Sequence, residues 1–201
     1  MKEKDTEFDS YVLEDDAEEI RHYTMWSLIP RTMVMPASGW QRTFENGPLP
    51  EIAVIRFLLP MCILSGLSEF FVYFYQVQLS FSSVLVSAVI IFCSFFIGYF
   101  LALLLAQIAM PKEARQFAGT DTAKLMIMTG IGTLALFHIL FMALPMFDFI
   151  LEFLPLWTVY ILYEGMRKNK VSETKQTYAT AALCVAVICS PMLIEWLLAA
   201  I

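Results

Sequence analysis

The sequence predicts an all-α, polytopic membrane protein: a bundle of five transmembrane helices, preceded by a cytoplasmic tail and short interfacial helices. Three observations predict this class. First, 59% of the 201 residues are hydrophobic and only 16% are charged, against roughly 25% charged in soluble domains. Second, five apolar stretches approach the roughly 20 residues that a bilayer core requires of a helix. Third, all the Lys and Arg residues fall into three segments that separate or flank those stretches.

The first segment, residues 1–19, is an acidic tail. It holds nine of the nineteen acidic residues and few apolar ones, so it cannot bury enough surface to offset the entropy lost on ordering. We expect a disordered cytoplasmic tail. The alternative is an acidic recognition segment for a protein partner.

Residues 20–50 form a second segment, in which apolar and aromatic residues alternate with arginines and are interrupted at Pro30 and Pro36. This mixture predicts one or two short helices that lie in the headgroup layer, with Trp26 and Trp40 as interfacial anchors. A short cytoplasmic subdomain packed on the bundle is the alternative.

Residues 51–201 form the transmembrane domain. Its spans are predicted at about 52–75, 82–109, 125–144, 147–164 and 177–200. A tight turn at Pro145 is predicted between the third and fourth spans, so that the stretch from His138 to Gly165 leaves and re-enters the membrane. The four cysteines all lie within apolar runs, which argues against a disulfide framework.

The basic residues determine the predicted topology. Six lie before or just inside the first span, three between Pro111 and Lys124, and four after Gly165, which accounts for all thirteen. With five spans these segments share one face, and the positive-inside rule makes that face cytoplasmic. The N-terminus is therefore expected in the cytoplasm and Ile201 outside.

Several stretches resemble the Yip (Ypt-interacting protein) family of integral membrane proteins. They are PASGWQRTFENG with Pro36 and Trp40, IRFLLP ending at Pro60, the loop PKEARQFAGTDTAKLMIMTG, and LPLWTVYILYEGMRK with Tyr163. Over roughly residues 25–200 the chain is similar to short prokaryotic-type members, which implies five spans after a cytoplasmic segment and residence in a bacterial cytoplasmic membrane. It lacks the Asp-Leu-Tyr-Gly-Pro type motif of the eukaryotic members associated with small GTPases, so the resemblance implies fold and topology more than that role.

Five titratable groups are predicted to share the outer third of the membrane, where no Lys or Arg occurs: Glu69, His138, Asp148, Glu152 and Glu195. Three explanations stay open for this polar cluster. The side chains could extend to the outer headgroups, or they could face the bundle interior, where burial favours the neutral form of an acid. Carboxylate oxygens and one imidazole could also hold a divalent metal or relay protons.

The function predicted from the sequence is that of a non-enzymatic membrane scaffold or adaptor without a cofactor. No phosphate loop, His-Glu-x-x-His or zinc-spaced Cys pairs occur, and the acidic balance disfavours nucleic acid. The expected partners are the lipid bilayer and a cytoplasmic protein. The alternative is a small transporter or an ion- or metal-binding protein that uses the outer acidic cluster, for which homo-oligomerisation would supply the missing pathway.

Overall fold

The computed structural model describes residues 28–75, 80–110, 115–147, 149, 152–169 and 173–200. Most of these residues are helical, and none of them lies in a strand. Residues 28–34 are helical, and we call this helix α1. The further helices are α2 (Pro36–Asn46), α3 (Pro50–Ala53, Val54–Leu58 and Leu59–Tyr75, without a break), α4 (Phe81–Ala109), α5 (Arg115–Ala118), α6 (Asp121–Ala143), α7 (Leu154–Lys168) and α8 (Glu173–Ala199). The predicted acidic tail, residues 1–19, lies outside the described residues.

Four helices are long and apolar enough to cross a membrane, which is consistent with a membrane protein. They are Pro50–Val72 of α3, α4, α6 and Gln176–Ala199 of α8, with mean hydropathies between 1.7 and 2.6. They coincide within a few residues with four of the predicted spans. The all-helical class is therefore confirmed.

The stretch predicted as the fourth span folds differently at its start. Pro145–Phe147 forms a 3₁₀ turn, Glu152 and Phe153 lie in another turn, and α7 begins only at Leu154. Pro155 fits this start, because it lies in the first helical turn, where the missing N–H of a proline costs no helical hydrogen bond. With 15 residues, α7 is about 22 Å long, shorter than the roughly 30 Å of a bilayer core.

Helices α6 and α7 run antiparallel. A Cβ placed on Gly165 of α7 would lie 2.7 Å from Met126 Cε of α6, and one placed on Gly130 of α6 would lie 3.3 Å from Leu162 Cδ2 of α7. The later position on α6, Gly130, thus contacts the earlier position on α7, Leu162. The end of α7 thus returns to the start of α6. We call this the basic end of the protein, because Lys124, Arg167 and Lys168 lie there.

Helix α3 contains one irregular turn. Residues Val54–Leu58 form a π-helix, in which the N–H of Leu59 donates to Val54 O. Pro60 accounts for its position, because proline has no N–H for the carbonyl four residues earlier and its ring clashes with that carbonyl. The wider π turn accommodates this defect while the helix continues.

Helices α4 and α6 begin at side-chain caps. Ser80 Oγ accepts from the N–H of Ser83 at 3.2 Å, and Thr120 Oγ1 accepts from the N–H of Ala123 at 3.3 Å. Such caps satisfy one of the free N–H groups of a first helical turn. They determine where the two helices start, close to the predicted boundaries.

The N-terminal segment packs against the rest of the protein instead of lying free on a surface. Helices α1 and α2 form a tight hairpin in which Gly39 abuts the backbone of Thr32, and the hydroxyls of Thr32 and Thr43 are 3.0 Å apart. Apolar side chains of both helices are buried: Leu28, Ile29, Met33 and Trp40. Residues 28–49 therefore pack on the helices that follow them, and their location in the headgroup layer or in a cytoplasmic subdomain stays a prediction.

Candidate functional site: the Glu69–His138 pair

The structure brings together two members of the predicted polar cluster. Glu69 Oε1 of α3 and His138 Nε2 of α6 are 2.9 Å apart, and their side chains are only 13% and 18% exposed. Such a bond forms whether the imidazole N–H donates to a carboxylate or a protonated carboxyl donates to Nε2. It links two helices across 69 residues of sequence.

A third helix completes the surroundings of the pair. The ring of Phe95, on α4, lies 5.9 Å from the His138 ring in an edge-on arrangement. Within Phe81–Ala109 the sequence of α4 contains no Asp, Glu, Lys or Arg. The pair therefore lies among apolar and aromatic groups, where loss of one partner would leave the other without compensation.

Close packing of α3 against α4 positions the carboxylate. A Cβ on Gly66 would lie 2.6 Å from Ala88 O, so the two helices can approach this closely only with glycine at that position. Ser68 Oγ donates to Ser65 O at 2.6 Å. The hydroxyl of Ser65 itself is buried and has no partner among the described residues. It lies on the same helical face as Glu69, one turn earlier.

The other predicted members do not add a metal site. Glu152 and Glu195 are exposed, and Asp148 lies outside the described residues. Among the residues that the structure describes, no group of three or more His, Cys, Asp or Glu side chains could hold a metal ion. What the geometry offers chemically is a two-residue proton-sharing pair between helices.

The predicted role of Trp40 as an interfacial anchor needs correction. Its side chain is 0% exposed, it stacks on Phe44 with ring centroids 5.2 Å apart, and its indole N–H donates to Ile161 O of α7 at 2.7 Å. The glycine at position 165 makes room for the ring, since a Cβ there would lie 3.0 Å from it. Trp26, the second predicted anchor, lies outside the described residues.

A reciprocal contact connects the same two parts of the chain. The indole N–H of Trp157, on α7, donates to Met33 O of α1 at 2.7 Å. Two tryptophans, one on each side, thus hold the α1–α2 hairpin against α7, and we call these two bonds the tryptophan clasp. Sequence reasoning missed it because an indole next to arginines is typical of a membrane interface.

Glu164 is a further buried polar group that was not among the predicted site residues. Its side chain is 5% exposed, and Oε1 accepts from Arg167 Nη1 at 3.1 Å. The second oxygen, Oε2, is buried without a partner among the described residues. The pair lies at the basic end, and the spacing of three residues within a helix was its only sequence signal.

The helices and these contacts define the class: an α-helical protein with four helices able to cross a membrane. Comparison with protein-family models, with curated proteins and with solved structures finds no match to this chain.

Proposed function

We propose that the chain is a five-span integral membrane protein of the Yip type, which acts as a non-enzymatic scaffold or adaptor. Its N-terminus and three basic segments are cytoplasmic, its C-terminus is outside, and its membrane is a bacterial cytoplasmic membrane. The observation that carries the proposal is the tryptophan clasp, formed by Trp40 Nε1 with Ile161 O and by Trp157 Nε1 with Met33 O. It holds the segment that follows the acidic tail in one fixed position.

The antiparallel course of α6 and α7 supports five spans. It returns Arg167 and Lys168 to the end where α6 begins with Lys124. A return crossing is what the positive-inside rule requires if all basic segments share one face. The turns that precede α7 add part of the length that the helix alone lacks for crossing the membrane.

The outward face of α2 supports the adaptor role. Its exposed residues are small or polar, namely Ala37, Ser38, Gln41, Arg42 and Glu45, and Gln41 Nε2 donates to Glu45 Oε1 at 3.4 Å. A polar face on a helix whose other face is buried belongs in water. The acidic residues 1–19 precede it in the sequence, and their charge favours a cytoplasmic protein with a basic binding site as the partner.

In-cell photo-cross-linking tests this proposal. A photoreactive residue in place of Gln41 should capture a specific protein, and deletion of residues 1–19 should reduce the capture while the protein remains folded. A photoreactive residue in place of Met146, which is 93% exposed beside the Pro145 turn, is the matched control at the opposite end. Equal capture from both positions, or capture that the deletion leaves unchanged, would count against the adaptor role.

Ion binding at the outer side is the second candidate. The hydrogen bond between Glu69 and His138 favours it, because ionisable groups within membrane spans commonly mark ion or proton pathways. If a cation binds there, it should raise the thermal stability of the purified protein, and Glu69→Gln should abolish the increase while Glu195→Gln should not. The absence of a cation-dependent increase in the wild type would exclude this candidate.

A further inference from the structure

We infer that residues 28–49 form a re-entrant hairpin, which enters the membrane beside α6 and α7, reaches about a third of the depth of the bilayer core, and leaves on the side where it entered. Its tip, at Val34 and Met35, contacts lipid acyl chains. The partner of this surface is therefore the apolar layer of the bilayer. The inference requires only that α6 crosses the membrane, and it is independent of the adaptor role.

Helix α6 provides the first measure of depth. Met33 Cε would lie 3.5 Å from a Cβ placed on Gly132. Gly132 follows Leu125, where the predicted third span begins, by seven residues, which correspond to about 10 Å along the helix axis. This distance is about a third of a bilayer core.

Helix α7 provides a second, independent measure. Trp157, which binds Met33 O, precedes Glu164, where the predicted fourth span ends near the basic end, by seven residues, again about 10 Å. Trp40 contacts α7 nearer that end, between Ile161 and Gly165. Two antiparallel helices thus place Met33 at the same level, and α7 places it deeper than Trp40.

The backbone of the hairpin is bonded where it turns. The N–H of Met35 donates to Arg31 O at 2.7 Å, and the N–H of Gly39 donates to Met35 O at 2.8 Å. Pro36 needs no acceptor, because proline has no N–H. Non-helical backbone at membrane depth persists only where its polar groups find such partners.

The side chains at the turn suit lipid. Val34 is 68% exposed and Met35 is 58% exposed, and both are apolar. Arg31, one turn closer to the entry side, is exposed, and its long side chain can extend to the headgroups.

Photo-cross-linking in lipid vesicles tests the inference. p-Benzoylphenylalanine replaces Val34 in the full-length protein, which is then reconstituted in phosphatidylglycerol and phosphatidylethanolamine, and lipid adducts are measured by mass spectrometry. The same residue in place of Leu104, which is 54% exposed on α4, gives the lipid-facing reference. In place of Gln41, on the polar face of α2, it gives the water-facing reference.

We expect the adduct yield at Val34 to be closer to that at Leu104 than to that at Gln41. A yield closer to that at Gln41 would overturn the inference, because the tip would then lie in water. If the Val34 variant fails to fold, the same comparison is made at Met35. A protein partner captured from Gln41 in cells would be unaffected by either outcome, so this test and that of the adaptor role fail separately.

Discussion

Truncation of Trp40 should destabilise the protein more than truncation of any tryptophan on the lipid-facing surface. Its side chain is 0% exposed and fills the space between α2 and α7 next to Gly165. Removal of a buried tryptophan typically costs about 3–5 kcal/mol, because a cavity remains. For a chain of this size each kcal/mol lowers the Tm by about 2–4 °C. Trp40→Ala should therefore lower the Tm by about 6 to 20 °C.

A second substitution separates the hydrogen bond from the packing. Trp40→Phe keeps most of the apolar volume and loses the bond to Ile161 O. That carbonyl lies within α7 and can still accept its helical N–H, so no buried acceptor becomes unpaired. The net loss from such a bond is about 0.5–1.5 kcal/mol. The Tm of Trp40→Phe should thus lie between the Tm of the wild type and that of Trp40→Ala.

Thermal unfolding in detergent, followed by circular dichroism, measures both effects. Trp196→Ala is the matched control, because Trp196 is 72% exposed and its removal leaves no cavity. If Trp40→Ala lowers the Tm no more than Trp196→Ala does, the buried clasp does not contribute to stability and the reasoning is refuted.

Two further predictions concern the helix contacts around the polar pair. A double-mutant cycle of Glu69→Ala and His138→Ala should give a coupling of about 1 kcal/mol, as expected for interhelical hydrogen bonds in membranes, whereas Glu195→Ala with His138→Ala should give none; equal couplings would contradict the pairing. Gly66→Ala should lower the unfolding free energy by at least about 1 kcal/mol, because its Cβ would lie 2.6 Å from a carbonyl oxygen of α4. Gly119→Ala, whose nearest atom would be 3.7 Å away, should change the unfolding free energy by less than about 0.5 kcal/mol; similar costs at both positions would show that close packing is not the cause.

Local sequence patterns predicted most of the helices, because length and hydropathy are local properties. Phe81–Ala109 was predicted within one residue of its bounds, since Ser80 caps its start and apolar residues continue to its end. The start of α7 was predicted seven residues too early. The aromatic residues before Pro155 are apolar enough to extend a span, and only the proline indicated that the helix begins later.

The candidate site could be predicted only as a list of residues. Glu69 and His138 were both in the predicted cluster, but their contact depends on how α3 and α6 are rotated about their axes, which a single sequence does not reveal. The exposure of Glu195 depends on the same kind of rotation. The burial of Trp40 depends on a space beside Gly165, which is a property of another helix 125 residues away in the chain.

The π turn at Val54–Leu58 determines how the later side chains of α3 are rotated about the helix axis. A π turn holds about one residue more than an α turn, and each residue of a helix rotates the next side chain by about 100°. Pro60→Ala would let α3 regularise without loss of a residue, and every later side chain would then turn by about 100° relative to the helix start. Glu69 would then point away from His138, although neither residue had been changed.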